Sequence, residues 1–325
     1  MTENRDNLRE HAPHPRKVAV VGAGMVGSTF AYALLLGGLV GEIVLIDIDH
    51  KRAEGQAMDL QHAVPLSNPA RIWAGDYPDC AAADVVVVAA GTAQRPGETR
   101  LDLVKRNAAI FKDIIPRITE HNTTGVLLIA TNPVDVLSYV AWKVSGLPAQ
   151  QVIGSGTVLD TARFRYLLSE HLSVDPRSVH AYIIGEHGDS EVPVWSLANV
   201  AGMRLSDFCN REGCELGAEA RERIVHQTRD AAYEIIQRKG ATYYAVATGL
   251  LRIVESILRD QHTVLAVSSL VPGHYDIEDV YLSLPAVINR KGVERVLNLP
   301  LNEQETEALR QSAAVLHRVL DELEP

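Results

Sequence analysis

Short apolar runs alternate with longer stretches of helical periodicity through the first half of the chain. Lys17 to Val21 is a β-branched run ending in glycines, and helical periodicity follows through Leu36. Glu42 to Ile46 reads as a second strand closed by Asp47, with another helical stretch from near Lys51. Further strands are expected at about 71–74, 85–89 and 126–129, with helices between them. Alternation of this kind means βαβ units in a parallel, doubly wound sheet, and right-handed crossovers put helices on both of its faces.

The rhythm changes after about Ile153. A helix around Leu159–Leu172 is followed by the strand-like Val179–Ile184, then by long helical stretches at Cys214–Arg238 and Ala241–Arg259. His262–Val271 and Asp279–Ile288 are β-rich and flank a turn at Pro272-Gly273-His274, which predicts an antiparallel hairpin. Asn302–Leu323 is an amphipathic helix. The expected fold is α/β: a Rossmann-type domain over 17–154 and a tightly joined α+β domain over 155–325. Residues 1–16 are expected to form a flexible arm.

Composition narrows the function classes. The 325 residues are 46% hydrophobic and 22% charged, ordinary for a soluble globular protein. A formal charge of −10 argues against a nucleic-acid partner, which calls for a basic face. It leaves a small anionic ligand open, because a local arginine cluster is invisible in a net charge. No run reaches the ~18 apolar residues of a spanning helix, and residues 1–16 lack the apolar core of a signal peptide. No membrane partner and a cytoplasmic location are therefore expected. Cys80, Cys209 and Cys214 cannot all pair, and Cys209 to Cys214 lacks zinc-ligand spacing. They are read as partly buried free thiols in a reducing compartment, with no metal site.

Gly22-x-Gly24-x-x-Gly27 lies between a strand and a helix, the context that gives this motif meaning. Gly22 permits the tight turn, Gly24 lets backbone approach a pyrophosphate, and Gly27 allows close helix packing. The helix N-terminus offers free N–H groups to the phosphates. Asp47, 20 residues past Gly27, stands where a carboxylate binds the adenosine ribose, with Asp49 close behind. Two carboxylates would repel a 2′-phosphate, which favours NAD over NADP. The motif leaves FAD open, and the plainer alternative is a glycine turn with a helix-capping Asp.

Four weaker signals follow. Gly91 to Arg100 is a polar loop with two arginines after the strand 85–89, either a lid over an anionic substrate or a solvated connection. Asn132-Pro133 closes the strand 126–129 at the sheet's carboxyl edge, where an amide meets a ligand or simply makes a turn. Asp160 and Arg163 are spaced i, i+3 on one helix face, as a functional pair or a surface ion pair. His187, within Gly185-Glu186-His187-Gly188-Asp189, is catalytic or merely structural.

Together these segments occur in the order found in 2-hydroxy-acid dehydrogenases. With Thr131-Asn132-Pro133-Val134-Asp135 included, the chain resembles the lactate/malate dehydrogenase superfamily from Lys17 to the C-terminal helix, and within it the bacterial L-lactate type. The resemblance implies that His187 exchanges the hydroxyl proton, that Asp160 fixes its tautomer, and that Arg163 clamps the substrate carboxylate. Arg100 would polarise the ketone oxygen, and Asn132 would hydrogen-bond it. The resemblance also puts Met25, Val26, Gly91, Thr92, Ala93 and Asn132 beside NAD.

Gln94 would face the C3 substituent of the substrate, with Thr242 on the opposite wall. Malate-specific relatives carry arginine at the position of Gln94. A neutral Gln94 would leave oxaloacetate's second charge unpaired, at a cost on the order of several kcal/mol, and so favours pyruvate/L-lactate. Arg95 beside it is taken to point away. Arg165 and His180 match the pair that binds fructose 1,6-bisphosphate between subunits in allosteric relatives, and a homotetramer is implied. The rival readings are a malate or other L-2-hydroxy-acid dehydrogenase, and a non-catalytic NAD-binding protein.

Overall fold

A computed structural model describes residues 15–92, Gly97 and 99–323, with Arg100 described by its backbone alone. The first half runs β1 (Lys17–Val21), α1 (Met25–Gly37), β2 (Glu42–Ile46), α2 (His50–Ala63), β3 (Arg71–Ala74) and β4 (Val85–Val88). It continues through α3 (Arg100–Thr119), β5 (Val126–Ile129), α4 (Val134–Ser145) and β6 (Val152–Gly154). These six strands are parallel and ordered β6-β5-β4-β1-β2-β3. The order reverses between β1 and β4, so the loops leaving those strands open a crevice at the carboxyl edge.

The sheet exists because its strands are buried on both faces. Val18, Val20, Ile43, Leu45, Val85, Val87 and Leu128 pack on one side with Phe30 and Leu34 of α1. Ala19, Val21, Val44, Val86, Val88 and Ile129 pack on the other, with Val104 and Phe111 of α3. Fully apolar strands of this kind are stable only when helices cover both sides. Arg16, expected in a flexible arm, is already tied down: its carbonyl accepts the Gly41 and Glu42 N–H groups at 3.0 and 3.1 Å. The rest of that arm, residues 1–14, lies outside the described residues.

The second half runs α5 (Val158–Leu172), β7 (Val179–His180), β8 (Ile183–Ile184), β9 (Val192–Pro193), β10 (Asn199–Val200) and β11 (Met203–Arg204). Then come α6 (Leu205–Glu212), α7 (Ala218–Lys239), α8 (Tyr244–Leu258), β12 (Thr263–Pro272), β13 (Glu278–Asn289), β14 (Gly292–Val296) and α9 (Glu303–Asp321). β12 and β13 form the expected antiparallel hairpin, but it builds no sheet of its own. Together with β14 it extends the parallel sheet to nine strands, β12 pairing with β6 at Ser268 and Gly154.

Three expectations are corrected here. Val179–Ile184 is not one strand: β7 pairs with β10, and β8 with β9. Helix side chains take the ladder groups in between, Arg165 donating to the Ala181 carbonyl and Thr161 bonding Ile183 N–H and carbonyl. The helix expected from Cys214 starts at Ala218, and α6 precedes it, ended by Gly213 in the left-handed region. That turn brings the Cα atoms of Cys209 and Cys214 to 4.5 Å, and the two are disulfide-bonded rather than free. Cys80 alone of the three is a buried free thiol. Among the described residues no helix is long and apolar enough to cross a membrane.

Candidate active site

The carboxyl edge of the parallel sheet gathers the loops after β1, β4, β5 and β6, and the glycine loop after β1 forms one end of the site. Gly22 has φ +103°, and a Cβ there would lie 2.5 Å from the Ala90 nitrogen. A Cβ on Gly27 would fall 1.9 Å from the Gly22 carbonyl oxygen, so α1 meets the loop with no room for a side chain. A Cβ on Gly24 would meet nothing within 4 Å. Gly24 thus faces open space at the amino end of α1, beside the exposed Met25 and half-buried Val26, as a phosphate cradle requires.

Asp47 closes the cradle from β2. One carboxylate oxygen accepts the Ala23 N–H at 2.7 Å and the other the Asp49 N–H at 2.9 Å. Each oxygen keeps a further lone pair for a ribose hydroxyl. Asp49 caps α2 by accepting the Arg52 N–H. Gly91 and Thr92 are exposed after β4, and buried Asn107 of α3 accepts the Thr92 N–H at 2.9 Å. The same Asn107 donates to the Asn132 carbonyl at 3.1 Å, tying the β4 and β5 loops together. This open, glycine-walled cradle with an acid at the end of β2 fits a dinucleotide.

The other end of the site is built on α5. Asp160, in its first turn and 3% exposed, accepts from His187 Nδ1 at 2.5 Å and from Arg163 at 2.9 Å. The i, i+3 pair is therefore buried, not a surface pair. Burial pulls the His187 imidazole toward neutrality, but Asp160's charge and hydrogen bond outweigh it and hold the ring up at about 9. Burial pushes Asp160 up in turn, and His187 and Arg163 together bring it below the usual carboxylate range. At neutral pH the trio is imidazolium, carboxylate and guanidinium. Since Nδ1 meets Asp160, Nε2 is the nitrogen left for a reactant.

Asn132 is exposed at the end of β5, and its bond to Pro133 is cis. Thr242 is half-buried in the link between α7 and α8. Ala93, Gln94 and Arg95 lie outside the described residues, as does the Arg100 side chain. Arg165 and His180 sit away from the trio. Arg165 donates to the carbonyl of Ala181 at 2.9 Å, next to exposed His180, and lines a cavity of about 460 Å³ with Arg177 and Arg252.

Comparison with known proteins agrees with this geometry. Residues 16–154 match the lactate/malate dehydrogenase NAD-binding domain, and residues 157–324 match the alpha/beta C-terminal domain of the same family. The chain belongs to the lactate/malate dehydrogenase family. An L-lactate dehydrogenase of Acetivibrio thermocellus is 54% identical over 310 residues, 95% of this chain and 98% of that protein. One from Priestia megaterium is 51% identical over 312 residues, 96% and 98% of the two chains. The fold matches a lactate dehydrogenase from a Medee basin deep-sea metagenome library at TM-score 0.92 and 49% identity, over 95% of this chain and 99% of that one. This family member is an NAD-dependent oxidoreductase, and the glycine cradle belongs to its NAD-binding domain.

Sequence reading gave no role to three polar residues of this dehydrogenase site, although Asp135 belongs to the 131–135 motif. Asn107 is fully buried, on the same stripe of α3 as Val104 and Phe111, and an amide on an apolar stripe was the available signal. Asp135 is 2% exposed and accepts the His187 backbone N–H at 2.7 Å. Glu191 is 5% exposed; burial, then the like charge of Asp160, pushes its carboxyl up to about 8.

The cradle makes a paired prediction. Gly27→Ala forces a methyl against backbone and is expected to lower the melting temperature and NADH binding together. Gly24→Ala should leave melting unchanged while weakening NADH binding at least about tenfold, by lifting the pyrophosphate off the loop. Thermal melts and NADH fluorescence titration measure both. Unaltered binding in Gly24→Ala would show that the loop holds no phosphate.

Proposed function

We propose that the protein is an L-lactate dehydrogenase, interconverting pyruvate and L-lactate. The observation that carries this reading is the buried Asp160 carboxylate shared between His187 and Arg163. It supports a single site that holds a proton beside a fixed cation. NAD, when bound on the glycine cradle, supplies or accepts the hydride at the substrate's C2.

The residues of the chain do the rest. Arg163 binds the substrate carboxylate through its free guanidinium edge, a bidentate grip that fixes the carbonyl's position. His187 Nε2 donates its proton to the carbonyl oxygen as negative charge develops there, and takes it back in the reverse direction. Asp160 holds the ring's tautomer and stabilises the imidazolium. Asn132 hydrogen-bonds the same oxygen, and Arg100, brought in by closure of the 91–100 segment, adds a second cation and excludes water. Gln94 and Thr242 bound the C3 side of the pocket, and neither pairs a second substrate carboxylate.

The same reading extends to regulation and assembly. Arg165 and His180 would join the matching residues of a symmetry-related subunit of a homotetramer to bind fructose 1,6-bisphosphate. The supporting feature is a cluster of arginines: Arg165 shares its cavity with Arg177 and Arg252, which pair with Asp175 and Glu255. A nicotinamide-dependent reaction of a small keto acid fits work in the cytoplasm, and the Cys209–Cys214 bond is the feature that runs against it.

Three measurements test these claims. Pyruvate reduction needs protonated His187, so its rate should be flat below about 9 and fall above it, while lactate oxidation rises toward about 9. Asp160→Asn removes the charge that raises the ring, and should cut reduction at neutral pH at least about a hundredfold. A wild-type pH profile in that variant would sink the acid–base assignment.

Gln94→Arg is expected to shift kcat/KM toward oxaloacetate by orders of magnitude. An unchanged pyruvate-to-oxaloacetate ratio would remove Gln94 as the discriminator. Fructose 1,6-bisphosphate should lower the half-saturating pyruvate concentration in the wild type and not in Arg165→Gln. Identical half-saturation with and without it across pH would mean a non-allosteric enzyme.

A further inference from the structure

The loop that carries His187 is anchored to four different elements. Gly185 pairs with Ser283 of β13, exchanging hydrogen bonds of 2.8 and 2.9 Å. The Glu186 N–H donates to Ser312 of α9 at 2.8 Å, and the His187 ring donates to Asp160 of α5. The fourth anchor, Asp135, comes from the other half of the chain. It stands in the first turn of α4, three residues after Asn132, and its carboxylate accepts the backbone N–H of His187 itself.

We propose that Asp135 is a positioning residue for the proton transfer, setting where His187 stands and how firmly it keeps its proton. The inference rests on the reading of His187 as the acid–base group. Geometrically, one rigid segment, 131–135, presents Asn132 at the sheet's carboxyl edge and holds the histidine's main chain three residues later. The amide and the anchor of the proton donor thereby belong to a single helix start. The Asp135–His187 hydrogen bond thus joins the two halves of the chain at the histidine itself.

Electrostatically, Asp135 places a second buried carboxylate against His187, on the backbone side rather than the ring side. Burial pushes this carboxyl up to about 6, against the pull of the neighbouring Ser268 hydroxyl and the His187 N–H, so it is mainly ionised at neutral pH. Its negative charge favours the imidazolium. The other charged groups facing the ring are Asp160 and Arg163 on α5 and Glu191 after the loop, with Glu186 beside Asp135 and Arg229 of α7 facing Glu191. Asp135 and Asp160 act in the same direction, and Arg163 opposes them.

Two variants separate placement from charge. Asp135→Asn keeps an oxygen to accept the His187 N–H and loses the charge, whereas Asp135→Ala loses both. The His187 ring is titrated by NMR in histidine-labelled enzyme, without substrate. The pH profile of pyruvate reduction is measured alongside, with KM for NADH and for pyruvate. In Asp135→Asn the ring midpoint should fall by about one pH unit, the profile should move with it, and both KM values should stay. In Asp135→Ala kcat should fall about tenfold to a hundredfold with KM for NADH unchanged, and Asn should recover most of that loss.

A ring midpoint in Asp135→Asn equal to that of the wild type overturns the proposal, as does an Asn variant as slow as the Ala one. If Asp135→Ala does not fold, the Asn titration decides alone. His187→Gln is run beside them. An active His187→Gln refutes the acid–base reading itself, whereas the ring titration of the Asp135 variants is read without any turnover.

Discussion

A buried carboxylate with two partners is the constraint around which this molecule is arranged. Asp160 is almost wholly removed from water, and an isolated carboxylate in that position would be neutral or would unfold its surroundings. His187 and Arg163 repay the desolvation by hydrogen bonding both of its oxygens. The position in the first turn of α5 adds the partial positive charge of a helix amino end. Removing Asp160 leaves two cations without their counter-charge, and removing either cation leaves one buried carboxylate oxygen without its partner. The trio therefore has to be delivered as a unit by elements that do not move relative to one another, and the rest of the fold does this.

That delivery explains why the chain's second half does not stand apart from the first. β12, β13 and β14 extend the nucleotide-side sheet, and Gly185 of the histidine loop is pinned to β13. The side chains of Thr157 and Thr161 hold the Ile183 carbonyl just before that loop. The glycine cradle, the β5 loop and the histidine loop are thus three branches of one continuous hydrogen-bonded frame. Sites placed on such frames keep reacting atoms within the narrow tolerances that proton and hydride transfer demand.

Much of this was legible in the sequence, for reasons that can be named. Five of the six parallel strands, β1 to β5, were placed to within a residue because four- or five-residue β-branched runs, bounded by turns and helical periodicity, have few other ways to be buried, whereas the three-residue β6 was not read as a strand. The glycine motif was readable because the positive φ of Gly22 and the contact of Gly27 with the Gly22 carbonyl are set within the motif itself. What escaped reading depends on tertiary partners. Val179–Ile184 reads as one strand until the hydroxyls of α5 take its ladder groups. Cys209 and Cys214 read as free until the Gly213 turn folds them together. Asp135 and Glu191 receive no role from the sequence, since nothing local says that the chain buries them beside His187.

The two raised carboxyls bear on substrate choice beyond any single wall residue. Burial is the largest influence pushing Asp135 up to about 6 and Glu191 up to about 8, so the region around His187 is a poor solvent for negative charge. On the proposed reading, one substrate carboxylate enters because Arg163 meets it. A second, carried on C3, would face the same penalty that these two acids report, with no cation assigned to it by the described residues or by Gln94. A methyl group carries no such penalty. On the proposed reading, preference for a monocarboxylate is therefore a property of the whole buried surround, and Gln94 keeps that surround from being overridden. An arginine there would supply a counter-charge but would not make the pocket wetter. On that reading residue 94 sets which substrate is tolerated, while the buried acids set how strongly an unpaired charge is refused.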